Sequence, residues 1–295
     1  MTFSIPTPPH FNFWATVYSH GWCALAPFLV DKENETLRFV VPAGRKRFGS
    51  VTVREKDGIL IGSTNGKKIH PGDVIPAIAA MLRMDESFEG FYALAKKYPR
   101  YRWVVKRKAG RLLRCATVFE DVVKMICTTN CSWALTEVMV NAFVSKLGEE
   151  VEENVRSFPV PEAIASCRES YLRREIRCGY RAPFLLEFAR NVSEGRIDPE
   201  RWRISDAPTG ELFEEVRSVK GVGEYAAGNI LKLLGRYDYL GLDSWSRGKF
   251  YEIHSGGRKV KDSTIEKHYA EFGSWRGLFL WMDMTKEWYE DKYPF

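Results

Sequence analysis

The sequence is poor in the features that mark a metalloprotein, a secreted protein or a membrane protein. Its six cysteines are Cys23, Cys115, Cys127, Cys131, Cys167 and Cys178, with no C-x-x-C pair and no cluster near the C-terminus. An iron–sulfur cluster held at that end is therefore not expected. Cys127 and Cys131 lie one helical turn apart and read as two small helix residues rather than a metal pair. Reduced thiols are the default for such a pattern, which implies an intracellular chain: cytoplasm or nucleoid, or the nucleus in a eukaryote. The five histidines, His10, His20, His70, His254 and His268, show neither metal-ligand nor catalytic-triad spacing and read as structural or surface groups. No run of roughly 18 apolar residues occurs, so no membrane span is expected. The opening MTFSIPTPPH lacks a basic region followed by an apolar run, so no signal peptide is expected either. Internal repeats and low-complexity segments are absent, and nothing calls for a metal or an organic cofactor.

What is present is a folding composition. Of 295 residues, 45% are hydrophobic and 28% charged, which argues against a largely disordered chain. The net charge of +6 suits a polyanionic partner but also suits many enzymes without one. Nine tryptophans stand among 14% aromatics. Such rings fill cores and also stack on bases, so their number alone does not decide between the two.

Two textures divide the chain. From about Phe11 to Asn65 it reads as strands: residues 36–41 (TLRFVV) and 50–54 (SVTVR) are short and β-branched, and 59–62 (ILIG) reads as a return strand. Gly44, Gly49, Asp57-Gly58 and Asn65-Gly66 mark turns, and Asp57-Gly58 between apolar runs is a hairpin signal. After Pro71 the texture is helical. Helices are expected over 74–82, 88–98, 118–127, 133–147, 161–167, 182–194 and 208–216, with an amphipathic tail over 275–289. Thr117 with Glu120 reads as a capping box. The expected fold class is mainly α with an N-terminal antiparallel β domain (α+β): residues 1–85 form the N-terminal domain and 86–295 the helical body.

The most informative stretch is ELFEEVRSVKGVGEYAAGNILKLLGRYDYLGLDSWSR, residues 211–247. A helix leads into Lys220-Gly221-Val222-Gly223, and a second helix (224–234) ends at Gly235. Two glycines one residue apart permit a tight turn and close backbone approach. The free N–H groups at the start of the second helix then form an anion site for a phosphate, while Val222 anchors the turn between the helices. Such a contact holds register and reads no base. Just downstream, in residues 241–247, lies Asp243, which a local reading also makes a helix cap.

Hairpin, offset and aspartate together resemble the helix–hairpin–helix (HhH-GPD) DNA glycosylase superfamily, especially its 3-methyladenine and 8-oxoguanine branches. The likeness covers about residues 85–285 and, more weakly, the N-terminal part. It implies double-stranded DNA with a damaged base as partner, a monomer, and a base-flipping, N-glycosidic hydrolysis with Asp243 as the catalytic carboxylate. It also implies that Asn130, at the end of TVFEDVVKMICTTN (117–130), touches the base left unpaired. In Gly179-Tyr180-Arg181, Tyr180 would wedge into the stack and Arg181 would read the estranged base. Read without the resemblance, Asn130 is a helix cap and the other two are loop residues. The family leaves room for a monovalent cation under the hairpin carbonyls.

One departure bears on mechanism. Bifunctional members carry an attacking lysine two residues after the last hairpin glycine. Here that position is Tyr225, and neither Lys220 nor Lys232 matches, so no amine is expected at the sugar. An aromatic there suits a monofunctional enzyme on alkylated purines such as 3-methyladenine, whose positive charge is attracted to ring faces. Tyr225, Trp133, Trp22 and Trp281 are the candidate pocket rings. An 8-oxoguanine-type glycosylase, a non-catalytic helix–hairpin–helix DNA-binding protein, and an unrelated α/β enzyme with a chance hairpin stay open as alternatives.

Overall fold

The structure, a computed structural model, describes residues 1–44, 47–65, 69–289 and 293. The chain begins with strand β1 (Thr2–Pro6), a one-turn helix α1 (Phe13–Val17) and a 3-10 turn (Gly21–Ala24), followed by β2 (Leu29–Asp31), β3 (Thr36–Pro42), β4 (Phe48–Lys56) and β5 (Ile59–Asn65). These strands form one antiparallel sheet in the order β1-β5-β4-β3-β2. Lys56 pairs with Ile59 across a two-residue turn in which Asp57 and Gly58 both have positive φ, the geometry that matches strand twist. The Gly66 half of the expected second turn lies outside the described residues. Strand texture alone does not predict β1 or the helical turns of residues 13–24. Those turns form because Asn12 caps α1 by accepting from Ala15 N, and because Phe13, Val17 and Trp22 bury themselves in the core.

The rest is helical: α2 (Pro71–Met81), α3 (Glu89–Lys97), α4 (Arg102–Arg107), α5 (Val118–Thr128), α6 (Trp133–Leu147), a small β6–β7 pair (Glu150–Glu152, Val155–Arg156), α7 (Pro161–Ala165), α8 (Glu169–Arg174), α9 (Ala182–Ser193), α10 (Glu200–Ile204), α11 (Thr209–Arg217), α12 (Glu224–Leu234), α13 (Ser244–His254), α14 (Asp262–Tyr269) and α15 (Arg276–Thr285). Among the described residues no helix is long and apolar enough to cross a membrane. Helix α5 runs through the centre with nearly every side chain buried, Glu120, Asp121 and Lys124 included. The expected capping box is half formed. Thr117 accepts from Glu120 N, but the Glu120 carboxylate turns away to pair with buried Lys124 at 2.7 Å, where a counter-charge is needed more than a second cap. Cys131 lies past the end of α5 rather than on it, its Sγ 3.1 Å from the Cys127 carbonyl.

Candidate active site

Gly221 has φ +88°, and a β-carbon there would lie 2.9 Å from Cβ of Phe184, so the turn requires glycine twice over. Val222 is buried and its N–H reaches Val219 O at 2.9 Å. Gly223 is the extended N-cap of α12. The turn thus presents the unpaired first-turn N–H groups of an 11-residue helix, an anion site. Lys220 stays exposed, paired to Glu187 at 2.9 Å.

Beyond the turn, Tyr225, Asn229 and Lys232 recur at i, i+4 and i+7, so one face of α12 lines a cavity of about 270 Å³. The far end of this helix is clamped from outside. Buried Arg83 donates to Lys232 O and Leu233 O, both at 2.6 Å, and Arg114 Nε donates to Leu233 O. Glu86 neutralises both arginines at 2.9 and 2.7 Å. Cations at a helix C-terminus complement its carbonyls, and fully engaged donors make their burial tolerable.

The loop carrying Asp243 lies directly on α12. Gly241 packs against Gly228 so closely that a β-carbon on Gly228 would sit 2.7 Å from Cα of Gly241. Asp243 is the N-cap of α13: its Oδ1 accepts from Ser246 N at 2.7 Å, and its own N–H donates to Ser246 Oγ at 2.8 Å. This reciprocal box fixes the carboxylate at the cavity, and its second oxygen has no hydrogen-bond partner among the described residues. The local reading of Asp243 as a cap therefore holds alongside its place at the cavity.

All four expected rings reach the same cavity. Trp22 is held by Asp121, its Nε1 donating to Oδ1 at 2.7 Å, and Trp281 by Ser19 O at 3.1 Å. The Trp133 ring occupies the space left by Gly21, where a β-carbon would meet its Cη2 at 2.3 Å. Trp245 and Trp288 complete the rim, both 6.0 Å apart ring to ring, with Trp281 between at 6.0 and 5.7 Å. His20, read from sequence as structural or surface, borders the cavity; burial lowers its pKa to about 4, so it is neutral and bonds Leu113 O through Nε2 at 2.6 Å.

Lys232, which does not stand at the family's lysine position, nevertheless reaches the cavity. It is 3% exposed, its Nζ lies beside Gly241, and it lines the cavity. Burial lowers its pKa to about 8, with the charge of Asp243 opposing that fall. Tyr225, at the rim, has its phenol pKa raised by burial first and by Asp243 second.

Asn130 and Tyr180 do come together: Asn130 Nδ2 donates to Tyr180 Oη at 3.3 Å, and Tyr180 is 48% exposed. Asn130 has φ +47°, a left-handed position asparagine tolerates. Arg181, expected to read the estranged base, is not a solvent-facing loop residue. It is buried, stacks on the Tyr180 ring at 4.6 Å and donates to Thr129 O, so it props the loop instead of facing solvent. Elsewhere the fold gathers His254, His268 and Asp283 within 4.8 Å, which histidine spacing does not reveal. Asp283 Oδ2 is already engaged there by Tyr101 and Tyr269 hydroxyls and by His254.

Asn229 and Lys232 escape motif matching because the family pattern attends to position 225. The helical period from Tyr225 is the signal that finds them.

No family model and no curated protein matches this sequence. Solved structures do match over nearly the whole chain. A 3-methyladenine DNA glycosylase from Archaeoglobus fulgidus superposes with a TM-score of 0.79 at 20% identity, covering 97% of this chain and 99% of that one. The chain has the helix–hairpin–helix DNA glycosylase fold. MBOgg1, solved with a low-affinity DNA ligand, gives 0.78 at 19% identity over 97% and 96%. The 8-oxoguanine glycosylase/lyase of Clostridium acetobutylicum, bound to DNA with cytosine opposite 8-oxoguanine, gives 0.69 at 16% over 91% and 92%. Within this glycosylase fold, the turn at 220–223, the loop at 241–247 and the tryptophan-lined cavity share one side of α12.

Proposed function

We propose that this protein is a DNA glycosylase that flips a damaged purine from the duplex into the cavity and hydrolyses its N-glycosidic bond. The observation that carries this reading is a base-sized aromatic cavity with one carboxylate, Asp243, held at it beside a helix N-terminus fit for a phosphate. A phosphate bound at the start of α12 brings its sugar to Tyr225 and Asp243, with the base pointing inward between the rings. Departure of the base builds positive charge on the sugar. The adjacent carboxylate stabilises that charge and orients or deprotonates the attacking water. Tyr180 and Asn130 form an exposed pair placed to fill the gap left in the stack.

Water is the nucleophile in this reading. Tyr225 stands where a lyase would place its lysine, and Lys232 lies seven residues further on, about 10 Å deeper along the helix axis. The walls stack on any purine face, alkylated such as 3-methyladenine or oxidised such as 8-oxoguanine.

The test is base release from duplexes each carrying one defined lesion, with and without alkali. Release with strand breaks only after alkali supports hydrolysis. Breaks without alkali show a lyase. No release from any lesion, together with unspecific DNA binding, favours a non-catalytic DNA-binding protein.

A further inference from the structure

Lys232 is a buried charge that the hydrolysis does not use. Its Nζ borders the cavity against Gly241 and makes no hydrogen bond or ion pair with a described residue, although Asp243 exerts a field on it. An ammonium in such a place meets no protein acceptor and keeps only the water the cavity admits, so an occupant that displaces that water must supply an acceptor in its stead. Its depth on α12 sets it beyond the sugar, at the far edge of whatever base enters. The walls there include the aromatic residues Trp22, Trp133 and Trp281, and the other charged group at the cavity is the Asp243 carboxylate.

We propose that Lys232 reads the flipped base, selecting an uncharged base that presents a carbonyl oxygen or ring nitrogen to Nζ and disfavouring one that carries the positive charge of N-alkylation. This rests on the glycosylase reading above. A neutral acceptor gains a charge-assisted hydrogen bond. A cationic base meets a like charge where little water screens it. Ring faces by themselves favour the cationic base, so selection of the uncharged one requires the ammonium's repulsion to outweigh that attraction.

The experiment compares wild type with Lys232→Met on duplexes carrying one hypoxanthine, 8-oxoguanine or 7-methylguanine. Base release is read in single turnovers. Binding is read on the same duplexes built with 2′-fluoro sugars that resist cleavage. Wild type is expected to release one uncharged base about 10-fold or more faster than 7-methylguanine. Lys232→Met should slow that release about 10- to 100-fold and leave 7-methylguanine unchanged or faster, with the same reordering in Kd. Equal slowing on all lesions overturns the proposal, as does a wild-type preference for 7-methylguanine in both readouts. A borohydride-trapped protein–DNA adduct that Lys232→Met abolishes also overturns it, since the amine would then attack the sugar. Asp243→Asn separates the two readings. Release that needs Asp243 but ignores Lys232 removes only this proposal; no release and no lesion preference in binding removes both.

Discussion

Replacing Lys232 with methionine should make the protein more stable, and the gain should fade as pH rises. Methionine keeps an unbranched stem and removes the charge. The buried ammonium has a pKa of about 8 against an ordinary 10.5. Each tenfold change in proton affinity is about 1.4 kcal/mol, so holding the charged form in the cavity costs about 3 kcal/mol at neutral pH. The sign follows from proton counting. Between pH 8 and 10.5 the unfolded chain binds the proton that the native state has released, so native stability at this site rises with pH across that window. Below pH 8 both states are protonated and the full penalty applies. For a chain this long, 1 kcal/mol moves Tm by roughly 2 °C, so Lys232→Met should melt about 6 °C higher at pH 7 and converge on wild type above pH 10. Thermal unfolding of both proteins across pH 6–10.5 measures this. A variant equal to or less stable than wild type at pH 7 would refute the reasoning, because the ammonium would then be compensated in the folded state.

Asp243→Asn should reduce base release by about 100- to 1,000-fold while leaving DNA affinity and Tm nearly unchanged, since asparagine caps α13 as well as aspartate does; equal release by the variant would remove Asp243 from the chemistry. Gly228→Ala places a β-carbon 2.7 Å from Cα of Gly241, so the Asp243 loop must lift. Release should fall by about 100-fold with DNA affinity within a few-fold, read by single-turnover kinetics and anisotropy. Gly221→Ala meets both a φ of +88° and the Phe184 side chain, and should lower stability by about 1–3 kcal/mol and weaken binding to undamaged and damaged duplexes alike.

The parts of the site that are local in sequence are legible there. Gly221, Val222 and Gly223 announce a turn, and Asp243 stands at a fixed offset from it, because both depend on backbone geometry within one supersecondary unit. What closes the cavity is not local. Trp281 is hydrogen-bonded to Ser19, 262 residues away, and Trp22 to Asp121, so no periodicity links them. Arg181 shows the opposite difficulty: an arginine in a polar loop reads as a surface group until Thr129 and the Tyr180 ring are seen to hold it. Lys232 is legible by helical period from Tyr225 yet hidden when only the family's lysine position is consulted. Arg83 and Arg114 cannot be read at all without the fold, since their partners are main-chain carbonyls of a helix far along the chain.

The arginine clamp on α12 has a consequence for how the gene product can be divided. Arg83 belongs to the first third of the chain, as do Trp22 and Gly21, yet they fix the last turn of α12 and one wall of the cavity. A cut near residue 85 would run through the seam where both ends of the polypeptide meet. A fragment beginning there would keep the turn at 220–223, Asp243 and Arg114 while losing Arg83, the other half of the clamp, and a wall. Two fragments mixed in solution would have to find each other before a closed chamber existed, so recombination by halves becomes a bimolecular problem that the intact chain never faces.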